Sequence, residues 1–214
     1  QKKVRIGVAE DEAFCFYYKD NFRLLKSMGA ELVTFSPMRD EHLPENLKGL
    51  ILGGGYPELN ARELEANVSM REDIRRALND GMPCLAECGG FMYLHDEMEA
   101  MDGNSYHMAG VISGRAYRTQ RLNRFGYVTL TQKKEVLGMN DMGGIPAHEF
   151  HYFDSENCGD DFDAKKPASH RKWNCIHGTD TMMAGFPHLY FYGNPKVPEA
   201  FLRKCSQYGR QDAR

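Results

Sequence analysis

Apolar residues fall in short unbroken runs over roughly the first 90 positions and in shorter, interrupted runs after that. Val4-Arg5-Ile6-Gly7-Val8-Ala9 reads as a buried strand close to the first residue. Tyr18 to Met28 places Phe22, Leu24, Leu25 and Met28 on one side of a helix that Gly29 ends. Glu31 to Phe35, Gly49 to Leu52 and Met82 to Ala86 read as further strands, with a helix-prone polar stretch from Glu58 to Asp80 between the last two. Strands separated by helices in this way predict a mostly parallel, doubly wound sheet with helices on both faces, an α/β fold. In such sheets ligands bind beyond the carboxyl ends of the strands, where Gly53 and Cys88 both fall.

Past Asp96 the pattern changes. Met108 to Ile112 and Tyr127-Val128-Thr129-Leu130 suggest antiparallel strands joined by long loops, a smaller antiparallel portion beside the main sheet. Asn157 to Lys172, rich in Asp, Gly, Lys and Pro, reads as an exposed loop. Phe186 to Phe191 returns to strand character, Pro198 to Cys205 to a closing helix, and residues 206–214 to a polar, frayed tail.

Composition narrows the classes. A net charge of −3 and a pI near 6.3 leave no electrostatic footprint for nucleic acid, and no apolar run reaches membrane-spanning length. Twelve Met, 12 Phe and 11 Tyr supply an ordinary soft, aromatic core for one domain. Six cysteines without a Cys-x-x-Cys pair, and no leading signal-type segment, point to a reducing, cytoplasmic setting. Five of them, Cys15, Cys84, Cys158, Cys175 and Cys205, read as small packing hydrophobes.

Cys88 is different. Pro83-Cys84-Leu85-Ala86-Glu87-Cys88-Gly89-Gly90 runs an apolar strand into a cysteine with Ala86 and Gly90 two positions to either side, the small-residue spacing of a nucleophile elbow. A thiol there lies at a helix N-terminus, where dipole and unpaired N–H groups favour thiolate. Acyl transfer also needs oxyanion donors and a proton carrier. Gly53-Gly54-Gly55-Tyr56-Pro57-Glu58 can turn amides toward a bound oxygen together with the N–H of Gly89, and lacks the Gly-Lys-Ser/Thr of a phosphate loop. Of eight histidines, His42, His95, His107, His170 and His177 lie in polar contexts that predict exposure. His188, in a strand-like segment far downstream, is the candidate base, and His148-Glu149-Phe150-His151-Tyr152 the other. That cluster lacks His-Glu-x-x-His spacing, so no metal site is expected; a substrate-facing or interface strand is.

Ala13-Phe14-Cys15-Phe16-Tyr17-Tyr18, Phe35-Ser36-Pro37, Gly53 to Leu59, Ala86 to Leu94, Met108 to Val111 and His148 to Tyr152, in this order, resemble the glutamine amidotransferase domain of cobyrinic acid a,c-diamide synthase. The resemblance implies a class I, triad-type glutaminase domain of flavodoxin-like fold over residues 1–205. It implies Cys88 as nucleophile, Gly53 or Gly54 with Gly89 as oxyanion donors, Tyr56 and Glu58 in the substrate loop, and His188 as general base and acid. Many triad enzymes carry Glu two residues after the histidine, and cobyrinate-type members tend to carry His; here Tyr190 stands there, with His148, Glu149 and His151 as possible supports.

The implied reaction hydrolyses L-glutamine through a thioester and passes ammonia to an ATP-dependent synthetase domain, which amidates the a and c carboxylates of a corrinoid. No cofactor is expected on this domain; ATP and Mg2+ are expected on the synthetase domain, for which this chain offers no phosphate loop. The chain thus reads as one half of a two-domain enzyme or as a separate subunit. A nickel-sirohydrochlorin a,c-diamide synthase of the coenzyme F430 pathway shares the motifs. A non-catalytic docking or regulatory module and a stand-alone cysteine hydrolase are the alternatives of other classes.

Overall fold

Strands apolar on both faces need helices on both sides, and the first half of the chain is built that way. The computed structural model of the protein describes residues 2–122 and 124–210. In chain order its elements are β1 (Val4–Ala9), α1 (Lys19–Ser27), β2 (Ala30–Phe35), β3 (Gly49–Leu52), α2 (Ala61–Ala66), α3 (Val68–Asn79), β4 (Cys84–Glu87) and α4 (Gly89–Tyr93). There follow β5 (His95–Glu99), β6 (Ser105–His107), β7 (Ile112–Arg118), β8 (Arg124–Gln132), β9 (Ile145–His151), β10 (Phe153–Ser155), β11 (Phe162–Lys165) and β12 (Lys172–Cys175). The last are β13 (His177–Gly178), β14 (Met182–Gly185), β15 (His188–Leu189) and α5 (Lys196–Gln207).

The main sheet has the order β13-β14-β4-β3-β1-β2, parallel except at β13. Leu50, Leu52, Cys84 and Ala86 face Leu64, Met70, Ile74 and Phe91 of α2, α3 and α4. Ile6, Val8, Ile51, Leu85 and Met183 face Leu25 of α1 and Val197, Ala200 and Phe201 of α5. A five-stranded antiparallel sheet, β12-β11-β8-β9-β15, and a four-stranded mixed sheet, β10-β7-β5-β6, stand beside it.

Several expected elements differ. The helix-prone stretch from Glu58 to Asp80 is a 3-10 turn at Pro57–Leu59 followed by two helices broken at Asn67. The Asn67 amide donates to the carbonyls of Pro37 and Asp40 at 2.9 and 2.8 Å, an alternative to continuing the helix. Met108 to Val111 is not strand: its N–H groups bond the carbonyls of Tyr93, Leu94, His95 and Asp96, closing the end of α4, and only Ile112 enters β7. Within the expected loop from Asn157 to Lys172, β11 buries Phe162 and Ala164 while Asp163 and Lys165 point outward, so polar composition concealed an alternating strand.

The expected strand from Phe186 to Phe191 shortens to β15 and passes into a 3-10 turn at Phe191–Gly193. Buried Asn21 holds it there, donating to the Leu189 carbonyl at 2.8 Å and accepting from the Phe191 N–H at 2.9 Å. The expected frayed tail is ordered in part. Ser206 and Gln207 belong to α5, and the Tyr208 hydroxyl donates to Asp80 at 2.7 Å; residues 211–214 lie outside the described residues. Among the described residues no helix is long and apolar enough to cross a membrane.

Candidate functional site

The site forms where β3 and β4 end and β15 begins. Cys88 joins β4 to α4 with φ +48° and ψ −104°, a conformation that costs a non-glycine residue about 1–3 kcal/mol. Its N–H donates to the Gly185 carbonyl and its carbonyl accepts from the Met92 N–H, both at 2.9 Å, so β14 and α4 hold the strained residue from either side. A Cβ on Gly90 would stand 2.0 Å from the Leu52 carbonyl oxygen, which explains the glycine at that place in the elbow. The Gly90 N–H donates to Gly53 O at 2.9 Å, tying the elbow to the glycine loop.

That loop divides the work of its amides in a way the sequence did not reveal. The Gly53 N–H donates to the Tyr17 hydroxyl at 3.0 Å, and Tyr17 in turn donates to the Ala9 carbonyl. Gly53, expected as a candidate oxyanion donor, is thereby committed to holding the loop. The Gly54 carbonyl accepts from the N–H groups of Cys15 and Phe16 at 2.9 and 3.0 Å. A Cβ on Gly54 would lie 2.6 Å from Cε1 of His188, so backbone passes flush against the imidazole. A Cβ on Gly55, with φ +152°, would strike the Ala13 carbonyl at 2.3 Å. The Gly55 amide nitrogen lies 3.3 Å from where a Cβ on Gly89 would stand, so the glycine loop packs against the residue that follows Cys88.

Tyr56 is exposed, and its N–H donates to the Ala13 carbonyl at 3.0 Å. The 3-10 turn carries Glu58 to a separate cavity bordered by Arg62, Met101 and Tyr106, away from the one beside His188. Its carboxylate Oε2 is buried without a partner among the described residues, and burial raises its pKa.

His188, only 7% exposed, sits on β15 opposite His148 of β9. Its Nδ1 lies 3.7 Å from Oε2 of Glu87, and the edge of the Phe16 ring packs on it with centroids 5.1 Å apart. Burial opposes a charge on the imidazole, but the attraction of the neighbouring Cys88 and Glu87 outweighs it and lifts the pKa to about 10. His148, partly exposed, has its pKa lowered by burial and by the neighbouring His188. A cavity of about 260 Å³ opens onto His188 between Tyr18, Tyr127, Pro146, His148 and Tyr190. Glu87, Phe16 and Tyr17 were not among the site residues expected from the sequence, and Gly55 was expected only as part of the glycine run. For Glu87 a signal existed, a carboxylate closing an otherwise apolar strand directly before the cysteine.

The His148 to Tyr152 cluster is split by strand alternation. Glu149 and His151 point inward and are buried, while His148 faces the cleft. Glu149 Oε1 lies 3.2 Å from Nε2 of His151, and its Oε2 accepts from Trp173 Nε1 at 2.9 Å. His151 stacks on Phe186 at 4.0 Å. Glu149 and His151 are therefore tied into the core, and Glu149 is not the support for His188 that the sequence suggested. Tyr190 is 39% exposed and contacts the rings of Tyr18 and Tyr192 at the cleft.

Other expectations also change. His95, expected at the surface, is fully buried; its Nδ1–H donates to the Phe91 carbonyl at 2.9 Å and burial pushes its pKa down to about 4. His177 is half-buried, donating from Nε2 to the Asn157 carbonyl at 2.7 Å. Cys15, expected in packing, is exposed.

The raised pKa of His188 makes stability depend on pH. The folded state holds this proton more tightly than the unfolded chain, so the associated stability is fully present below pH ~6.5. It is lost as pH climbs through about 10. Denaturant midpoints measured from pH 6.5 to 10 should fall in wild type and fall less in His188→Gln; equal slopes would contradict this.

The model of the CobB/CobQ-like glutamine amidotransferase domain matches residues 5–195. The chain belongs to this family. It is 40% identical over 213 residues to cobyrinate a,c-diamide synthase of Caldanaerobacter subterraneus subsp. tengcongensis, covering 99% of this chain and 47% of that relative. It is 42% identical over 205 residues to cobyrinate a,c-diamide synthase of Picrophilus torridus, covering 95% of this chain and 44% of that one. The chain thus spans about half the length of the curated relatives it matches. Among solved structures, PurLQS from Thermotoga maritima superimposes with a TM-score of 0.63 at 16% identity, over 96% of this chain and 99% of that one. A glutamine amidotransferase superimposes with a TM-score of 0.62 at 18% identity, over 94% and 98%. The fold is accordingly the flavodoxin-like one of class I glutamine amidotransferases, as expected from the sequence.

Proposed function

We propose that this chain is the glutamine-hydrolysing part of a cobyrinate a,c-diamide synthase. The observation that carries the proposal is the strained Cys88 at the end of β4 beside a buried His188 whose imidazole favours the cation, within a chain of this family. The imidazole beside the sulfur is placed to carry the proton that the attack releases. The sulfur attacks the side-chain amide carbon of glutamine, and the oxygen of the tetrahedral adduct takes the negative charge, with backbone amides of the glycine loop and of Gly89 as its donors. His188 gives its proton to the departing nitrogen, the C–N bond breaks and ammonia leaves. Neutral His188 then takes a proton from water, which attacks the γ-glutamyl thioester; the C–S bond breaks and glutamate is released.

Ammonia is the intended product, and its acceptor belongs to the half of the relatives' length that this chain does not span. ATP, Mg2+ and the corrinoid are placed on that half. The glycine run here does not suit them, because the Gly53 N–H is engaged by Tyr17 and no Lys-Ser/Thr follows. The test is glutamate release from glutamine by the purified chain, with and without a synthetase partner. Slow release is expected, falling about 100-fold or more in His188→Ala. No glutamate under either condition would defeat the proposal.

A further inference from the structure

We propose that Glu87, the residue directly before Cys88, is the positioning carboxylate that holds the His188 imidazole in its working orientation. The inference rests on the glutaminase reading above and deepens it. The position two residues after the histidine cannot serve, because Tyr190 turns to Tyr18 and Tyr192 in the cleft. Glu149 cannot serve either, since His151 and Trp173 occupy both of its oxygens in the core. Glu87 is the carboxylate that meets His188, its Oε2 3.7 Å from Nδ1, with its side chain only 19% exposed.

The topology accounts for the contact. Glu87 is the last residue of β4 and shares a sheet face with Leu85, whose cluster includes Leu189 of β15. Its cross-strand neighbour on β14 is Gly185, which offers no side chain; a Cβ there would stand 2.7 Å from Cγ1 of Ile176. The same Gly185 receives the Cys88 N–H, and three residues further the chain delivers His188. One strand end therefore fixes nucleophile, imidazole and carboxylate together. The groups facing His188 are Cys88 and Glu87 from the β4 end and His148 from β9. Glu87 is also felt by the phenols of Tyr17 and Tyr18, the former lying near Glu10 and Asp11 as well. A carboxylate at Nδ1 selects the tautomer and steadies the cation formed during proton transfer. At 3.7 Å the contact is an ion-pair distance rather than a hydrogen bond, and catalytic hydrogen bonds are often this long before substrate seats.

The test compares Glu87→Gln and Glu87→Asp with wild type by two readouts. In the first, NMR titration of the His188 ring, Glu87→Gln should lower the midpoint by about one pH unit or more, with Glu87→Asp recovering part of the difference. In the second, glutamate release, Glu87→Gln should lower kcat about tenfold or more with KM little changed, and shift the pH profile in the same direction. A His188 midpoint and pH profile unmoved in Glu87→Gln would overturn the inference. The ring titration is read whether or not glutamine is hydrolysed, so failure of the glutaminase reading and failure of this one are distinct results. Should Glu87→Gln fold poorly, Glu87→Ala decides in its place: a midpoint lowered toward that of free histidine supports the role, and the wild-type midpoint refutes it.

Discussion

Cys88→Ser is expected to cut glutamate release on the order of a thousandfold or more while leaving the fold intact. Serine is nearly isosteric and accepts the same backbone bonds to Gly185 and Met92. Its hydroxyl, however, ionises several pH units above a thiol, so it stays protonated beside an imidazole at rest and is the weaker nucleophile in a site built for sulfur. A second substitution separates chemistry from strain. At φ +48° glycine fits better than cysteine, so Cys88→Gly should be equally inactive yet more stable by about 1 kcal/mol. Rates of release and denaturant midpoints measure the two effects. A fully active serine variant would remove Cys88 from the reaction, and a Cys88→Gly variant less stable than wild type would show that the elbow is not strained.

Gly54→Ala should damage activity far more than stability. The added Cβ would lie 2.6 Å from Cε1 of His188, so the ring must shift by several tenths of an ångström or more; it also reaches 3.5 Å from the Phe16 Cβ, an ordinary contact. Overpacking of this kind costs about 1–3 kcal/mol. The misplaced imidazole is the larger consequence, since a shift near 1 Å in a reacting group is worth about 100-fold in rate. Activity lowered by that order, with a fold that still unfolds cooperatively, is the expected result. An alanine variant with the wild-type rate would mean that His188 has slack at its working position, contrary to the close packing of Gly54 and Phe16 around it.

The parallel sheet was legible because each of its strands announces itself locally. β1, β3 and β4 are apolar runs buried on both faces, and the helices between them carry their own periodicity. What escaped was structure fixed by distant partners. Met108 to Val111 is apolar enough for a strand, but its N–H groups are claimed by carbonyls at the end of α4. β11 looks like a loop in composition, yet pairing between β8 and β12 buries Phe162 and Ala164. His95 looks solvated until Phe91 and Ser155 are found holding both ring nitrogens.

The candidate site divides in the same way. Cys88 could be read from its flanking small residues, because the elbow is a local backbone device. His188 could be nominated only by position and resemblance, since its pairing with Cys88 depends on how β14 and β15 return to the sheet. The roles of the glycine amides depend on Tyr17, whose hydroxyl engages Gly53, and nothing in the spacing from Tyr17 to Gly53 announces that bond. Strand alternation, a rule the sequence does express, was enough in principle to separate His148 from Glu149 and His151 once β9 was known to be a strand.

The central claim is that a nucleophilic sulfur at Cys88, activated by His188, takes the side-chain acyl group of glutamine. Treatment of the chain with 6-diazo-5-oxonorleucine, an electrophile of glutamine shape, followed by mass analysis of its peptides, tests this most directly. A single adduct on the Cys88 peptide is predicted, blocked by excess glutamine, absent in Cys88→Ser and slowed in His188→Ala. The exposed Cys15 is the internal control, its thiol pKa raised by partial burial and by the nearby Asp11. Labelling of Cys15 in preference to Cys88, or of no cysteine at all, would contradict the account.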